Sequence, residues 1–274
     1  MPILISPTKF WQKFPLPKIS KRQKFILTSL ILTLGLAGIE ISDISWRYLA
    51  VGLLAIASWL LSAWSLKEGL EGVEWLTVLI LAPVFTLALG FFDFLLLTNF
   101  LIKALVIISY GIGIYILLLV GNIFSVAAIR TIQLLRSAQA VGFLFTLVIS
   151  FFLYDIIFSF RLPFWENFLL VTVVSFPLIL QSLWCINLEK EVSLKIWLYT
   201  LILSFTQGEM AVAFSFWPLG VATGSLALVT VLYITVGLAQ QELALKLFPK
   251  TISEYLRVGI IVFLVIFLTT HWGG

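Results

Sequence analysis

Residues 76–97 read LTVLILAPVFTLALGFFDFLLL, and Asp93 is the only charge among them. A helix rises 1.5 Å per residue, so a run of this length matches the about 30 Å of hydrocarbon in a bilayer. After Thr98 and Asn99 a second run follows at 100–120, FLIKALVIISYGIGIYILLLV, whose only charge is Lys103. Two such runs in succession predict an antiparallel pair of membrane helices. If the turn centres on Thr98, Asp93 and Lys103 lie at the same depth, and an ion pair between them is expected.

The pattern repeats in both directions. Apolar runs occupy Phe25 to Ile41, Trp46 to Leu66, Leu76 to Leu97, Phe100 to Val120, Val141 to Phe160, Phe168 to Ile186, Ile196 to Phe216, Leu219 to Leu238 and Val258 to Trp272. These predict an all-α, polytopic transmembrane helix bundle of about nine spans, with residues 1–24 as a basic, aromatic juxtamembrane tail and 25–274 as the membrane domain. A helix broken near Pro218 would either fuse or separate the seventh and eighth spans. The runs are continuously apolar, which argues against barrel strands that alternate with polar lumen positions. Hydrophobic residues make up 61% of the chain and charged residues 11%, against about a quarter charged in soluble domains. Cys185 is the single cysteine, so no intramolecular disulfide can form. The long basic lead from Lys9 to Lys24, with no small-x-small site before Asp43 and Trp46, predicts a retained first span rather than a cleaved signal.

Lysine and arginine set orientation, because they stay on the cytoplasmic side. With the N-terminus inside, fourteen of the 17 positives fall on the cytoplasmic face, and Arg47, Lys103 and Arg161 fall outside. This bias favours an odd number of spans and puts Gly274 outside. In the tail, Lys9, Trp11 and Lys13 mix cations with aromatic rings, a combination that adsorbs to an anionic inner leaflet. The connector from Ile123 to Ala140 carries Arg130 and Arg136, which are expected to contact lipid phosphate. It reads either as an amphipathic helix in the headgroup plane or as an extension of the flanking spans. Pro249 should break any helix in the connector from Gln240 to Arg257. The positives are juxtamembrane and too few to form a nucleic-acid groove.

Little catalytic chemistry is available. His271 is the only histidine, which removes paired-His zinc motifs and Ser-His or Cys-His dyads, and no metal site or cofactor is expected. Gly111 and Gly113 lack the lysine and strand context of a phosphate loop and read as a helix-packing surface. Glu68, Glu71 and Glu74 share a connection broken by Gly69 and Gly72, which suits a solvated loop. An enzyme would need Glu68, Glu71, Arg130 and Arg136 around a lipid-linked substrate. Trp165, Trp184, Trp217 and Trp272 lie near span ends, as interfacial anchors do.

Membrane-depth carboxylates are the remaining candidates, because an ionisable group in hydrocarbon needs protein, water or a partner. Asp93, Asp155 and Glu209 fall in the third, fifth and seventh spans, all toward the outer leaflet; with Lys103 they form the candidate ligand or ion pathway. They read as a polar pocket for a cation, proton or small amphiphile, or as groups that hydrate or pair locally. The segments Phe85-Thr86-Leu87 with Phe91-Phe92 and Phe145-Thr146-Leu147 with Phe151-Phe152 echo each other at an offset of about sixty residues. Such an echo fits either chance or a duplicated hairpin. No discontinuous helix is evident apart from the region around Gly208 and Pro218.

The stretches SVAAIRTIQLLRSAQAVGF, FSFRLPFW and EYLRVGIIVFLVIFLTTHW resemble an uncharacterised family of multi-pass membrane proteins from small-genome, uncultivated bacteria. The resemblance implies a bacterial cytoplasmic membrane and carries over no site residues. The leading expectation is a non-enzymatic structural or assembly partner, working with membrane lipids, a membrane-protein partner or further copies of itself. The alternative is a transporter or channel using the outer carboxylates.

Overall fold

A computed structural model describes residues 20–41, 44–70, 72–96, 100–128 and 133–270. Lys9, Trp11, Lys13, Glu71, Arg130, His271 and Trp272 lie outside the described residues. Helices α1 (Lys21–Ile41), α2 (Ile44–Leu66), α3 (Glu74–Thr77), α4 (Leu81–Asp93) and α5 (Phe100–Ala127) come first. They are followed by α6 (Leu135–Ser159), α7 (Phe164–Asn187), α8 (Leu194–Ser215), α9 (Val221–Leu243) and α10 (Pro249–Thr269), and there are no strands among the described residues. By length and composition, eight helices are long and apolar enough to cross a membrane, with α3 and α4 together forming one of them. The ninth long helix, α8, carries Thr200, Ser204, Gln207 and Glu209, which dilute its apolarity.

Local chemistry explains the boundaries. Ser20 and Gln23 exchange hydrogen bonds, the Ser20 N–H to Gln23 Oε1 at 2.8 Å and the Gln23 N–H to Ser20 Oγ at 3.4 Å. This capping box starts α1. Pro83 lacks an N–H and its ring opposes the carbonyl of residue 79, so the ladder breaks between α3 and α4. Val78 and Ile80 keep right-handed helical dihedrals, and the axis carries on through the break. A discontinuity therefore exists at Pro83, where the sequence reading placed none, whereas α8 runs unbroken through Gly208. Pro218 separates α8 from α9, and Pro249 opens α10 as its first residue, the position that tolerates it best. Of the connector from Ile123 to Ala140, the described residues extend the flanking helices, α5 reaching Ala127 and α6 starting at Leu135; Arg130 lies outside the described residues.

Two pairings set the architecture. Helices α7 and α8 run antiparallel, with ring contacts Phe164 to Phe216, Phe168 to Phe205 and Phe176 to Trp197 at centroid distances of 5.5, 5.8 and 6.0 Å. At 22 residues α8 is about 33 Å long, enough to match α7 end to end. Helices α4 and α6 run parallel and in register. Phe85 meets Phe145 at 5.6 Å and Phe92 meets Phe152 at 4.5 Å, each pair sixty positions apart. The repeated Phe-Thr-Leu and Phe-Phe segments thus face one another. Thr86 and Thr146 both turn their hydroxyls back to the carbonyl four residues earlier, which hides the hydroxyls from the apolar surroundings.

Close approach between helices relies on small residues, since lipid tails are as apolar as leucine and association depends on packing. A Cβ at Gly113 would come 2.5 Å from the Phe85 ring, and one at Gly111 would strike Thr33 of α1. The pair is a packing surface, as its composition suggested. One apolar core joins α1, α2, α4, α5, α6 and α7, and two smaller cores lie among α6 to α10. Helix α10 is the most peripheral and buries only Gly259 and Ile266.

Candidate functional site

The end of the bundle where α1 starts will be called the near end, and the opposite end the far end. Ten of the thirteen described lysines and arginines sit at the near end; Arg47, Lys103 and Arg161 sit at the far end.

At the far end, the hairpins α1–α2 and α4–α5 bring four charges together. Glu40 lies in the last turn of α1, Arg47 near the start of α2, Asp93 at the end of α4 and Lys103 near the start of α5. The Lys103 ammonium pairs with Glu40. Arg47 Nη2 donates to the Glu40 backbone carbonyl at 2.8 Å. Asp93 is 4% exposed, lies beside the Glu40 carboxyl, and leaves its Oδ1 without a hydrogen-bond partner. The expected Asp93–Lys103 ion pair is therefore corrected: Lys103 reaches across to α1, and Asp93 completes the cluster behind Glu40. The reason is tertiary, because α1 packs beside α5 and delivers a second carboxylate to the same ammonium. Two acids and two bases make the cluster formally neutral.

Asp155 lies in α6, two positions beyond the in-register equivalent of Asp93, so the two acids share a depth. It is 8% exposed and has no hydrogen-bond or ion-pair partner among the described residues. Glu209 is exposed on α8. Its helical spacing from Leu198, Ile202 and Phe205 places it on the same outward face as those exposed apolar side chains. Asp93 and Asp155 are thus buried on adjacent helices while Glu209 points away from the bundle, and none of the three lines the cavities described here.

Three cavities stand out. The largest, about 620 Å³, opens at the near end among α6, α7, α9 and the α9–α10 turn, and Arg136 and Lys246 are on its wall. A second, of about 380 Å³ and including Arg161 and Asn167, opens at the far end. A third, about 350 Å³ and mostly apolar, lies along α4, α5 and α6 beside the Phe85–Phe145 pair.

Elsewhere at the near end, charges pair locally. Lys24 Nζ lies 2.6 Å from Glu68 Oε1 and over the Trp64 ring, and its hydrogen bond holds the Glu68 carboxyl below the usual range. Lys195 and the Tyr199 hydroxyl both contact Glu242, at 2.9 and 2.7 Å. Glu68 is not part of the wall that holds Arg136, so these two members of the enzyme reading belong to separate places. No group of three or more His, Cys, Asp and Glu among the described residues could hold a metal ion. Trp184 corrects the interfacial reading: it is fully buried and its Nε1–H donates to the Glu189 carbonyl at 3.0 Å, tying down the end of α7. Trp165 is exposed, as an anchor would be.

Sequence reasoning missed Glu40 and Arg47 as cluster members. Their signal was the acid that ends the first apolar run and the base that opens the second.

Residues 28–269 match the family described as "Protein of unknown function (DUF5656)", and the chain belongs to it. No curated protein and no solved structure matches the chain.

Proposed function

We propose that this chain is a non-enzymatic, multi-pass protein of the bacterial cytoplasmic membrane, and that it acts as an assembly partner for another membrane protein or for further copies of itself. Its near end and basic tail face the cytoplasm. The observation that carries the reading is Glu209. It stands on an exposed apolar face, about 9 Å from the far end of α8 at 1.5 Å per residue. A charge at membrane depth costs up to about 2.5–3.5 kcal/mol at the centre of the bilayer and less toward the interface. A neighbouring subunit that supplies a donor there removes this cost. The neutral Glu40–Asp93–Lys103–Arg47 cluster also fits a structural clasp, because its charges are satisfied largely among themselves. The orientation is supported by the near-end concentration of positives.

A second reading, transport of a proton or small cation, draws on Asp155 and on the unpartnered Oδ1 of Asp93.

A photo-crosslinking residue in place of Ile202 tests the assembly reading in native membranes. A discrete protein adduct that weakens in Glu209→Gln supports it, and adducts to lipid alone overturn it. Proteoliposomes loaded with a pH-sensitive dye test the alternative. Proton flux above that of empty vesicles, lost in Asp155→Asn, would replace assembly by transport. Single cysteines at Ser20 and Gly273, in a Cys185→Ser background, should be labelled from opposite sides; labelling of both from one side would reject the orientation.

A further inference from the structure

The near-end cavity has a composition that its neighbours lack. Its wall holds two cations, Arg136 at the start of α6 and Lys246 in the α9–α10 turn, and no carboxylate. The other polar side chains on it are Gln139, Asn187, Gln240, Gln241 and Tyr255, and Asn187 Nδ2 donates to the Glu189 carboxylate at 3.3 Å.

The hydrogen bonds already made show what remains to bind a ligand. Gln139 Nε2 donates to the Cys185 and Ile186 carbonyls at 2.8 and 3.2 Å. Gln240 Nε2 donates to the Ser182 carbonyl and hydroxyl, both at 2.8 Å. In the turn after α9, the Ala244 and Lys246 amides bond to the Gln240 and Gln241 carbonyls. Free carbonyls at two helix C-termini would repel an anion, and these contacts cover several of them. Glu242, the nearest acid on α9, is held outward by Lys195 and Tyr199. That leaves Arg136, Lys246, Gln241 and Tyr255 on the wall as side chains able to donate to a ligand. The Tyr255 ring is set in place by a tilted contact with the Tyr233 ring at 5.0 Å and by contact with Gly237.

The rest of the wall is apolar, with Leu135, Ala140, Phe143, Ile186 and Leu243. A volume of about 620 Å³ falls within the range of small-molecule sites, roughly 300–1,000 Å³. A cationic rim over an apolar wall, at the end of helices long enough to cross a bilayer, matches an amphiphile whose anionic group stays at headgroup level. Arginine favours phosphate oxygens because its planar fork binds two at once, with lysine adding a point charge.

We infer that this cavity binds the phosphate headgroup of an anionic membrane lipid, with Arg136 and Lys246 on the phosphate, Tyr255 as a further donor, and the start of the lipid chains along Phe143 and Leu243. The site rests on the membrane reading of the helices and on the near end lying at the inner leaflet, but it needs neither Glu209 nor a partner subunit. It therefore stands or falls separately from assembly.

The test is native mass spectrometry of the full chain in neutral detergent with phosphatidylglycerol or phosphatidylcholine, in the presence and absence of glycerol 3-phosphate. Wild type should retain phosphatidylglycerol in preference to phosphatidylcholine. Arg136→Gln with Lys246→Gln should lower phosphatidylglycerol affinity by roughly thirtyfold, on the basis of two surface cations. Lys246→Arg should preserve the affinity, and Arg161→Gln, at the other end of the bundle, should leave it unchanged. Both substituted cations are exposed, and an unchanged unfolding temperature identifies the loss as one of binding. Undiminished preference in the double variant overturns the site. Full displacement by glycerol 3-phosphate overturns the lipid and assigns the cavity to a soluble phosphate ester.

Discussion

Replacing Lys103 by methionine removes the ammonium that Glu40 holds at the far end of the bundle and leaves Glu40 and Asp93 side by side with Arg47 as the remaining cation of the cluster. The two partners are enclosed, with side-chain exposures of 20% for Lys103 and 14% for Glu40. Breaking a fully buried pair by removing one partner costs about 3–5 kcal/mol; the residual exposure here lowers the expectation to about 2–4 kcal/mol. Methionine roughly conserves volume, so the loss reports charge more than packing. Glu40→Gln should cost less, about 1 kcal/mol, because Asp93 already lies beside Lys103 and takes over as its partner. Combining Lys103→Met with Asp93→Asn should recover part of the loss, since it removes one of the opposed carboxyls. Reversible unfolding in mixed micelles gives all three values, and a double-mutant cycle isolates the coupling. Equal costs for Glu40→Gln and Lys103→Met, or a coupling within about 0.5 kcal/mol of zero, would refute the idea that Asp93 and Glu40 compete for one ammonium.

Gly208→Ala should destabilise by about 1–3 kcal/mol, because the added Cβ would lie 2.9 Å from the Phe168 carbonyl and collide with Thr172 across the α7–α8 contact; an unchanged unfolding temperature would contradict that packing. Leu245→Gly should stabilise by about 1 kcal/mol, since Leu245 holds a φ of 57° at 88% exposure and little packing is lost. A drop in stability would show that the side chain is held by contacts its exposure conceals. Lys24 holds the Glu68 carboxyl below its ordinary range, so the pair stabilises the fold at neutral pH and loses that contribution as pH falls through the depressed value. Unfolding of wild type and Glu68→Gln should therefore differ at pH 7, converge in acid and converge also in high salt; a difference that persists in acid would assign Glu68 another role.

The helical class and the approximate positions of the long helices could be read from the chain, because each apolar run satisfies its backbone internally and needs no distant partner. Pro218 and Pro249 marked helix ends for an equally local reason, a missing N–H. The interruption at Pro83 rests on the same chemistry and was hidden only by the apolarity of residues 76–97. Placing Asp93 and Asp155 at one depth also followed from span positions alone.

Partner choice was not local. Lys103 had Asp93 as its nearest acid along the hairpin, yet it pairs with Glu40, 63 positions away, because α1 lies against α5. The echo between residues 85–92 and 145–152 was visible in the sequence, but whether the two segments touched depended on α4 and α6 packing parallel and in register. Glu209 and Asp155 looked alike as membrane-depth acids; burial separates them, and burial depends on which face of each helix meets its neighbours. The near-end cavity is the clearest case, since Arg136, Gln240 and Tyr255 come from three helices that only the assembled bundle brings together. Runs of side chains decide how the backbone is satisfied, and therefore where helices form. Contacts among those helices decide where charge is neutralised and where it is left available to a ligand.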